Sequence, residues 1–211
     1  LSVPDMHDRY FLLPMLDGWT DVFQVPGKRT NGTKAATYAI TGPGWTGTLP
    51  SGVIEYKSPT SLVWLLGRIY CTGTPEDYDA VHRLQDEFKL VPLSAWGKAY
   101  TPPPGKVDPS IDMKKPVRDQ VNGLSTEAYF NLLAMLLKDN PPAPADAPMM
   151  AKLARLGIIP GQKFDASKLG ADASQLKDVP QVAFEKIMGW FKAGVAAGVN
   201  QDQNGWLFTT H

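Results

Sequence analysis

Residues 62–88 read LVWLLGRIYCTGTPEDYDAVHRLQDEF, and the change of pattern between Thr74 and Pro75 decides the fold. Before it, residues 62–71 are almost wholly apolar, interrupted by Arg68. Such a run suits a strand covered on both faces. After it, Thr74 can cap a helix, Pro75 suits the first helical position, and Glu76 and Asp77 favour the positive end of the helix dipole. Tyr78, Val81, Leu84 and Phe88 then line up as one apolar stripe at helical spacing.

Upstream of the change, the chain reads as short strands. Residues 9–16 (RYFLLPML) are apolar, and Pro14 makes the segment an edge strand or a bulge. Asp17-Gly18 signals a hairpin turn, and residues 19–25 (WTDVFQV) alternate, with Trp19, Asp21, Phe23 and Val25 on one face. Residues 36–41 (ATYAIT) and 53–57 (VIEYK) follow between Gly/Pro breaks. Strands at about ten-residue spacing, with turns rather than helices between them, argue for an antiparallel sandwich instead of parallel βαβ units.

Downstream, a Pro-rich connection containing Pro102-Pro103-Pro104 leads to a helix capped by Ser125, with Tyr129, Leu132, Leu133, Leu136 and Leu137 on one face and a stop at Asn140-Pro141-Pro142. A third helix starts at Asp146-Ala147-Pro148 and ends near Gly157. A fourth runs from about residue 180 to 195 through Val182, Phe184, Ile187, Met188 and Phe191. Helices this short need partners to be stable. The expected class is α+β: an antiparallel β-sandwich portion over residues 1–73, then a small helical bundle domain over 74–200. Residues 201–211 read as the start of a further β domain.

Composition narrows the function. The 211 residues are 43% apolar, enough for a sizeable core, and carry 21 basic and 21 acidic side chains. That balance, with no basic cluster beyond Lys114-Lys115, speaks against nucleic acid. No apolar run approaches the roughly 20 residues that span a bilayer. The one cysteine, Cys71, reads as a buried small hydrophobe, and it leaves the redox compartment open. The chain has neither an initiator Met nor a signal peptide, and both ends read as interior to a longer chain.

The candidate chemistry is local. Asp79, His82 and Asp86, spaced three and four apart, share one helix face. A His between two carboxylates can bind a divalent metal or orient a general base, and the same three residues equally suit a solvated face. Asp5, His7, Asp8 and Arg9 form a dense charged cluster before the first clear strand, suited to a site or to a salt-bridged turn. Arg68 reads as paired or marginal in the sheet, or as a ligand anchor. Trp19, Trp45, Trp96 and Trp206 flank turns, where Trp can stack on a ligand or pack over a loop. Asp17 is accounted for by its turn, and His211 is the terminal residue. Phosphate loops, hydrolase elbows, CxxC pairs and HExxH are absent, and no cofactor is expected.

Asp8-Arg9-Tyr10, Asp17-Gly18-Trp19-Thr20-Asp21-Val22-Phe23, Gly42-Pro43-Gly44-Trp45, Ser58-Pro59-Thr60 and Val63-Trp64-Leu65-Leu66-Gly67-Arg68 resemble, in order, blocks of the bacterial family called domain of unknown function 1254. Val81-His82-Arg83-Leu84-Gln85-Asp86 and Leu90-Val91-Pro92-Leu93-Ser94 extend the resemblance over most of the chain. It implies an immunoglobulin-like β-sandwich followed by a helical region, a companion domain of unknown function 1214 after Gly205-Trp206-Leu207-Phe208-Thr209-Thr210, and a periplasmic or secreted location. It carries no catalytic role. The expected function is therefore an envelope or secreted module that binds a small molecule or glycan through loops at the sandwich–helix junction, with Trp19, Trp45, Asp8, Arg9 and Arg68 as contacts. A hydrolase using Asp79, His82 and Asp86, or Asp5, His7 and Asp8, is the rival. A structural spacer between β domains is the third reading.

Overall fold

The two apolar runs flanking the first half of the chain pair with each other. The structure, a computed structural model, describes residues 1–169, 176, 178–196, 201–203 and 206–208. Contacts divide the chain into two units, Leu1–Gly105 with Asp139–Pro142, and Lys106–Lys138 with Ala143–His211.

In the first unit, β1 (Ser2–Val3) lies near the start, followed by β2 (Phe11–Leu12), β3 (Met15–Asp17) and β4 (Val22–Gln24). A short helix α1 (Lys28–Asn31) precedes β5 (Ala36–Thr41), β6 (Ile54–Lys57), β7 (Val63–Leu65) and β8 (Arg68–Ile69). β2 pairs antiparallel with β8, and β3 with β7, in one continuous register: Phe11 opposite Ile69, Leu12 opposite Arg68, Met15 opposite Leu65, Leu16 opposite Trp64. The ladder is interrupted at Pro14, which has no N–H to give, and the Leu66 amide bonds the Pro14 carbonyl across the gap.

The reading of residues 62–71 as a strand covered on both faces is corrected here. Val63, Leu65 and Ile69 turn onto the core, whereas Leu62, Trp64 and Tyr70 are 54%, 57% and 58% exposed. This is ordinary period-two alternation, hidden in the sequence because the outward positions are also apolar. Arg68 shares that outward parity and is exposed.

The Asp17-Gly18 turn joins β3 to β4 in an antiparallel hairpin. The Asp17 carboxylate accepts the Trp19 and Asp21 amides at 2.8 and 3.0 Å, so the turn consumes it. An all-antiparallel arrangement does not hold: β5 and β6 run parallel, with Ile40 opposite Tyr56, while β1 adds to β5 antiparallel. The intervening residues 42–53 cross over without a helix, a connection that the absence of βαβ units had seemed to exclude. Tyr38 and Tyr56 stack with ring centroids 4.8 Å apart, and burial followed by the neighbouring phenol pushes Tyr38 up to about 12. The described residues thus form several small sheets, none closed into a barrel.

α2 (Pro75–Glu87) starts as its sequence requires, with the Asp77 amide donating to Thr74 Oγ1 at 3.3 Å. It belongs to the first unit. Its Leu84 joins Met6, Phe11, Leu13 and Met15 in the buried cluster. The segment Asp139–Pro142 is held to the same unit by polar contacts. The Leu62 amide donates to Asn140 Oδ1 at 2.8 Å, and the Ser61 amide to the Asp139 carbonyl at 3.2 Å.

The second unit carries α3 (Val117–Asn122), α4 (Thr126–Asp139), α5 (Ala147–Arg155) and α6 (Val179–Ala196), then a hairpin of β9 (Gln201–Gln203) and β10 (Trp206–Phe208). Ser125 Oγ caps α4 through the Ala128 amide. α5 ends in a Schellman motif: Gly157 has φ +76°, its amide reaches the Ala154 carbonyl, and the Ile158 amide reaches Leu153. Buried Ile158 then packs with Ala134, Leu137 and Phe164. On α6, the apolar residues Ile187, Trp190 and Phe191 are 57%, 72% and 47% exposed, so its stripe is only partly covered. Gly205, Thr209, Thr210 and His211 lie outside the described residues, as does the side chain of Trp206.

Candidate functional site

The charged cluster before β2 and one face of α2 enclose a groove of about 550 Å³ within the first unit. The cluster makes a tight turn. Asp5 Oδ1 accepts the His7 amide at 2.9 Å, the Arg9 amide donates to the Met6 carbonyl at 2.8 Å, and His7 and Asp8 sit at φ 48° and 64°. Two successive non-glycine residues in the left-handed region are costly. The contacts around them hold the turn: Met6 is fully buried, and Lys28 Nζ bonds both the Asp8 carbonyl at 2.7 Å and its carboxylate at 2.8 Å. Hydrogen bonding from the His7 amide, then from Lys34, holds the Asp5 carboxyl below its usual range.

Arg9 forms the floor. Its Nη2 is 2.6 Å from Asp77 Oδ1 and its Nη1 is 3.2 Å from Oδ2, a two-pronged pair with both side chains about four-fifths buried. Nη1 also donates to the Tyr70 carbonyl at 2.8 Å, and the Thr72 amide donates to Asp77 Oδ2 at 2.7 Å. Asp77 therefore joins the turn, the end of β8 and the start of α2. The Arg9 hydrogen bonds, then the Thr72 amide, hold its carboxyl far below the usual range. Cys71 is half-buried, not sealed in the core.

This pair sets a pH dependence. The folded state binds the Asp77 proton more weakly than the unfolded chain, so its stabilisation is complete above the ordinary value of 3.8 and fades as pH falls through the lower folded value. Asp77→Asn is expected to be less stable than the parent at pH 7, with the gap closing as the pH drops below about 4. Urea titrations of both proteins between pH 7 and 2.5 measure this. A gap that stays constant over the range would show that the carboxylate is not its source.

The α2 wall presents Ala80, Arg83, Leu84 and Glu87, one helix face at three- and four-residue spacing. Arg83 and Glu87 are exposed, and among the described residues neither forms an ion pair. Tyr70 and Thr72 also line the groove. Of the expected site residues, Asp8 and Arg9 line the groove, with His7 beside them. Asp79, His82 and Asp86 are exposed on α2 and do not line it. Among the described residues, no three His, Cys, Asp or Glu side chains gather to hold a metal ion. Trp19 is 39% exposed, and its indole N–H is bonded to the Pro141 carbonyl at 3.0 Å. The Trp45 ring lies against Gly47, where a Cβ would come within 2.5 Å of it. Neither Trp nor Arg68 lines the groove.

Sequence reasoning missed Tyr70, Asp77, Arg83 and Glu87 as site residues. Arg83 and Glu87 lie at helical spacing with Ala80 and Leu84, on a face of α2 about 100° round from Asp79, His82 and Asp86. Asp77 has no signal for this role, because its partner is 68 positions away.

Residues 1–92 match the family described as Protein of unknown function (DUF1254), narrower than the span over which the resemblance was read. No curated protein matches the chain. Among solved structures, the chain is similar to the crystal structure of the VPA0106 protein from Vibrio parahaemolyticus, at 24% identity and a TM-score of 0.65 over 94% of this chain. That likeness shows a shared fold, and the chain spans 46% of that protein. Among the described residues, no helix is long and apolar enough to cross a membrane.

Proposed function

We propose that this chain is a binding module that takes a small polar molecule in the groove between the residue 6–9 turn and α2, without transforming it. The observation that carries this reading is the left-handed pair His7–Asp8, held against its strain at the mouth of a groove whose volume falls in the range of small-molecule sites. The Arg9–Asp77 pair supports it by making the floor rigid before any ligand arrives. The family resemblance adds an envelope or secreted setting to the proposal.

The test is a nuclear magnetic resonance titration of the whole chain with sugars, amino acids, inorganic phosphate and Mg²⁺. At least one probe is expected to move the amides of His7, Tyr70 and Arg83 together, and Arg83→Ala is expected to weaken that binding about tenfold or more. If no probe moves these amides, or if all binding falls elsewhere, the reading is wrong.

A further inference from the structure

We infer that the ligand of this groove is a neutral saccharide, stacked on Tyr70 and hydrogen-bonded through its hydroxyls to Arg83 and Glu87; this rests on the binding-module reading above. The argument begins with charge. The groove holds Arg9 and Arg83 against Asp8, Asp77 and Glu87, with His7 at the rim. Most of those charges are already committed. The Arg9 fork is taken up by Asp77, and the Asp8 carboxylate by Lys28. What remains for a ligand is one guanidinium, Arg83, and one carboxylate, Glu87, a turn apart on α2.

A phosphate or polyanion would meet a single uncommitted guanidinium with a carboxylate beside it, whereas anion sites gather several donors. A cation would meet Arg83 in the same place, and among the described residues no trio of metal ligands is available. A purely apolar molecule would have to desolvate both charges without a partner, which is costly. A neutral polyol avoids each of these penalties. Every hydroxyl is both donor and acceptor, so adjacent hydroxyls can accept from Arg83 and donate to Glu87 at once, as charge-assisted bonds.

Tyr70 adds a second, independent observation. It lines the groove and is 58% exposed, and its backbone is fixed, the amide donating to the Tyr10 carbonyl at 2.8 Å and the carbonyl accepting from Arg9. A rigid backbone presenting an exposed aromatic beside a polar groove is a stacking platform. Its apolar face suits the C–H face of a pyranose, while the hydroxyl edge of the ring reaches across to α2. The expected platforms, Trp19 and Trp45, are engaged by their own loops and lie outside the groove.

The test uses the whole chain, with glucose, N-acetylglucosamine, maltose and cellobiose as probes, and glutamate and inorganic phosphate as comparisons. Isothermal titration gives affinities, and amide shifts give the location. At least one of the four sugars is expected to move the His7, Tyr70 and Arg83 amides. Tyr70→Ala is expected to weaken that sugar about tenfold or more, and Tyr70→Phe to keep it within about threefold. Glu87→Gln is expected to weaken it without moving the melting temperature.

Glutamate or phosphate moving the groove amides while no sugar does would overturn the saccharide assignment and leave the binding module standing. Sugar binding that is indifferent to Tyr70→Ala would overturn the stacking role and with it this inference. Silence of the groove amides to every probe would overturn both.

Discussion

Phe164→Ala is expected to destabilise the second unit by about 3–5 kcal/mol. Phe164 is fully buried, in a segment without helix or strand, and its ring lies 5.1 Å from that of Phe130 on α4. Asn131 Oδ1 takes its amide at 2.7 Å, which locks the side chain over Ala134, Leu137 and Ile158. Those four residues are the whole buried apolar cluster described for this unit. Truncating the largest leaves a cavity that neighbours on separate elements cannot collapse to fill. Phe164→Leu keeps most of the volume and is expected to cost clearly less. Urea denaturation, with hydrogen exchange to localise the loss to α4 and α5, measures both. A loss below about 1 kcal/mol for the alanine variant would show that this cluster does not hold the unit together.

Met6→Ala is expected to cost about 2–5 kcal/mol in the first unit and to weaken any ligand of the groove as well. Met6 is fully buried among Phe11, Met15 and Leu84, and its amide and carbonyl bond Thr33 and Arg9. It is the anchor from which the strained pair His7–Asp8 projects. With the anchor shortened, the turn can relax, so the groove amides are expected to exchange faster than the β2–β8 ladder. Met6→Leu, nearly equal in volume, is expected to cost less than about 1.5 kcal/mol and to keep the turn. Destabilisation without any change in exchange at residues 7–9 would separate the anchor from the site and count against the strain argument.

Legibility in the sequence followed the range of the interactions. The start of α2, the Ser125 cap, the Gly157 stop and the Asp17-Gly18 hairpin rest on contacts within a few residues, and each was readable from local residue chemistry. Residues 36–41 were read as a strand, and they form β5. The parallel pairing of β5 with β6 was not readable, because period-two alternation is the same in either direction. The site split in the same way. Asp8 and Arg9 drew notice as a dense charged cluster, whereas Asp77 was read only as a helix-dipole acid, because nothing in the order of residues links positions 9 and 77.

By itself, then, the sequence determined where α2, α4 and α5 begin or end, the Asp17-Gly18 turn and the strand at residues 36–41, all set by caps, backbone-restricted residues and periodicity. The tertiary structure alone decided that β5 and β6 run parallel, that α2 joins the first unit through Leu84, and that Arg9 is neutralised by Asp77 while Arg83 is left facing the groove. Those outcomes depend on which distant segments meet. A charge, an aromatic face or a strained turn acquires its role from its neighbours in space, and one-dimensional spacing does not encode them.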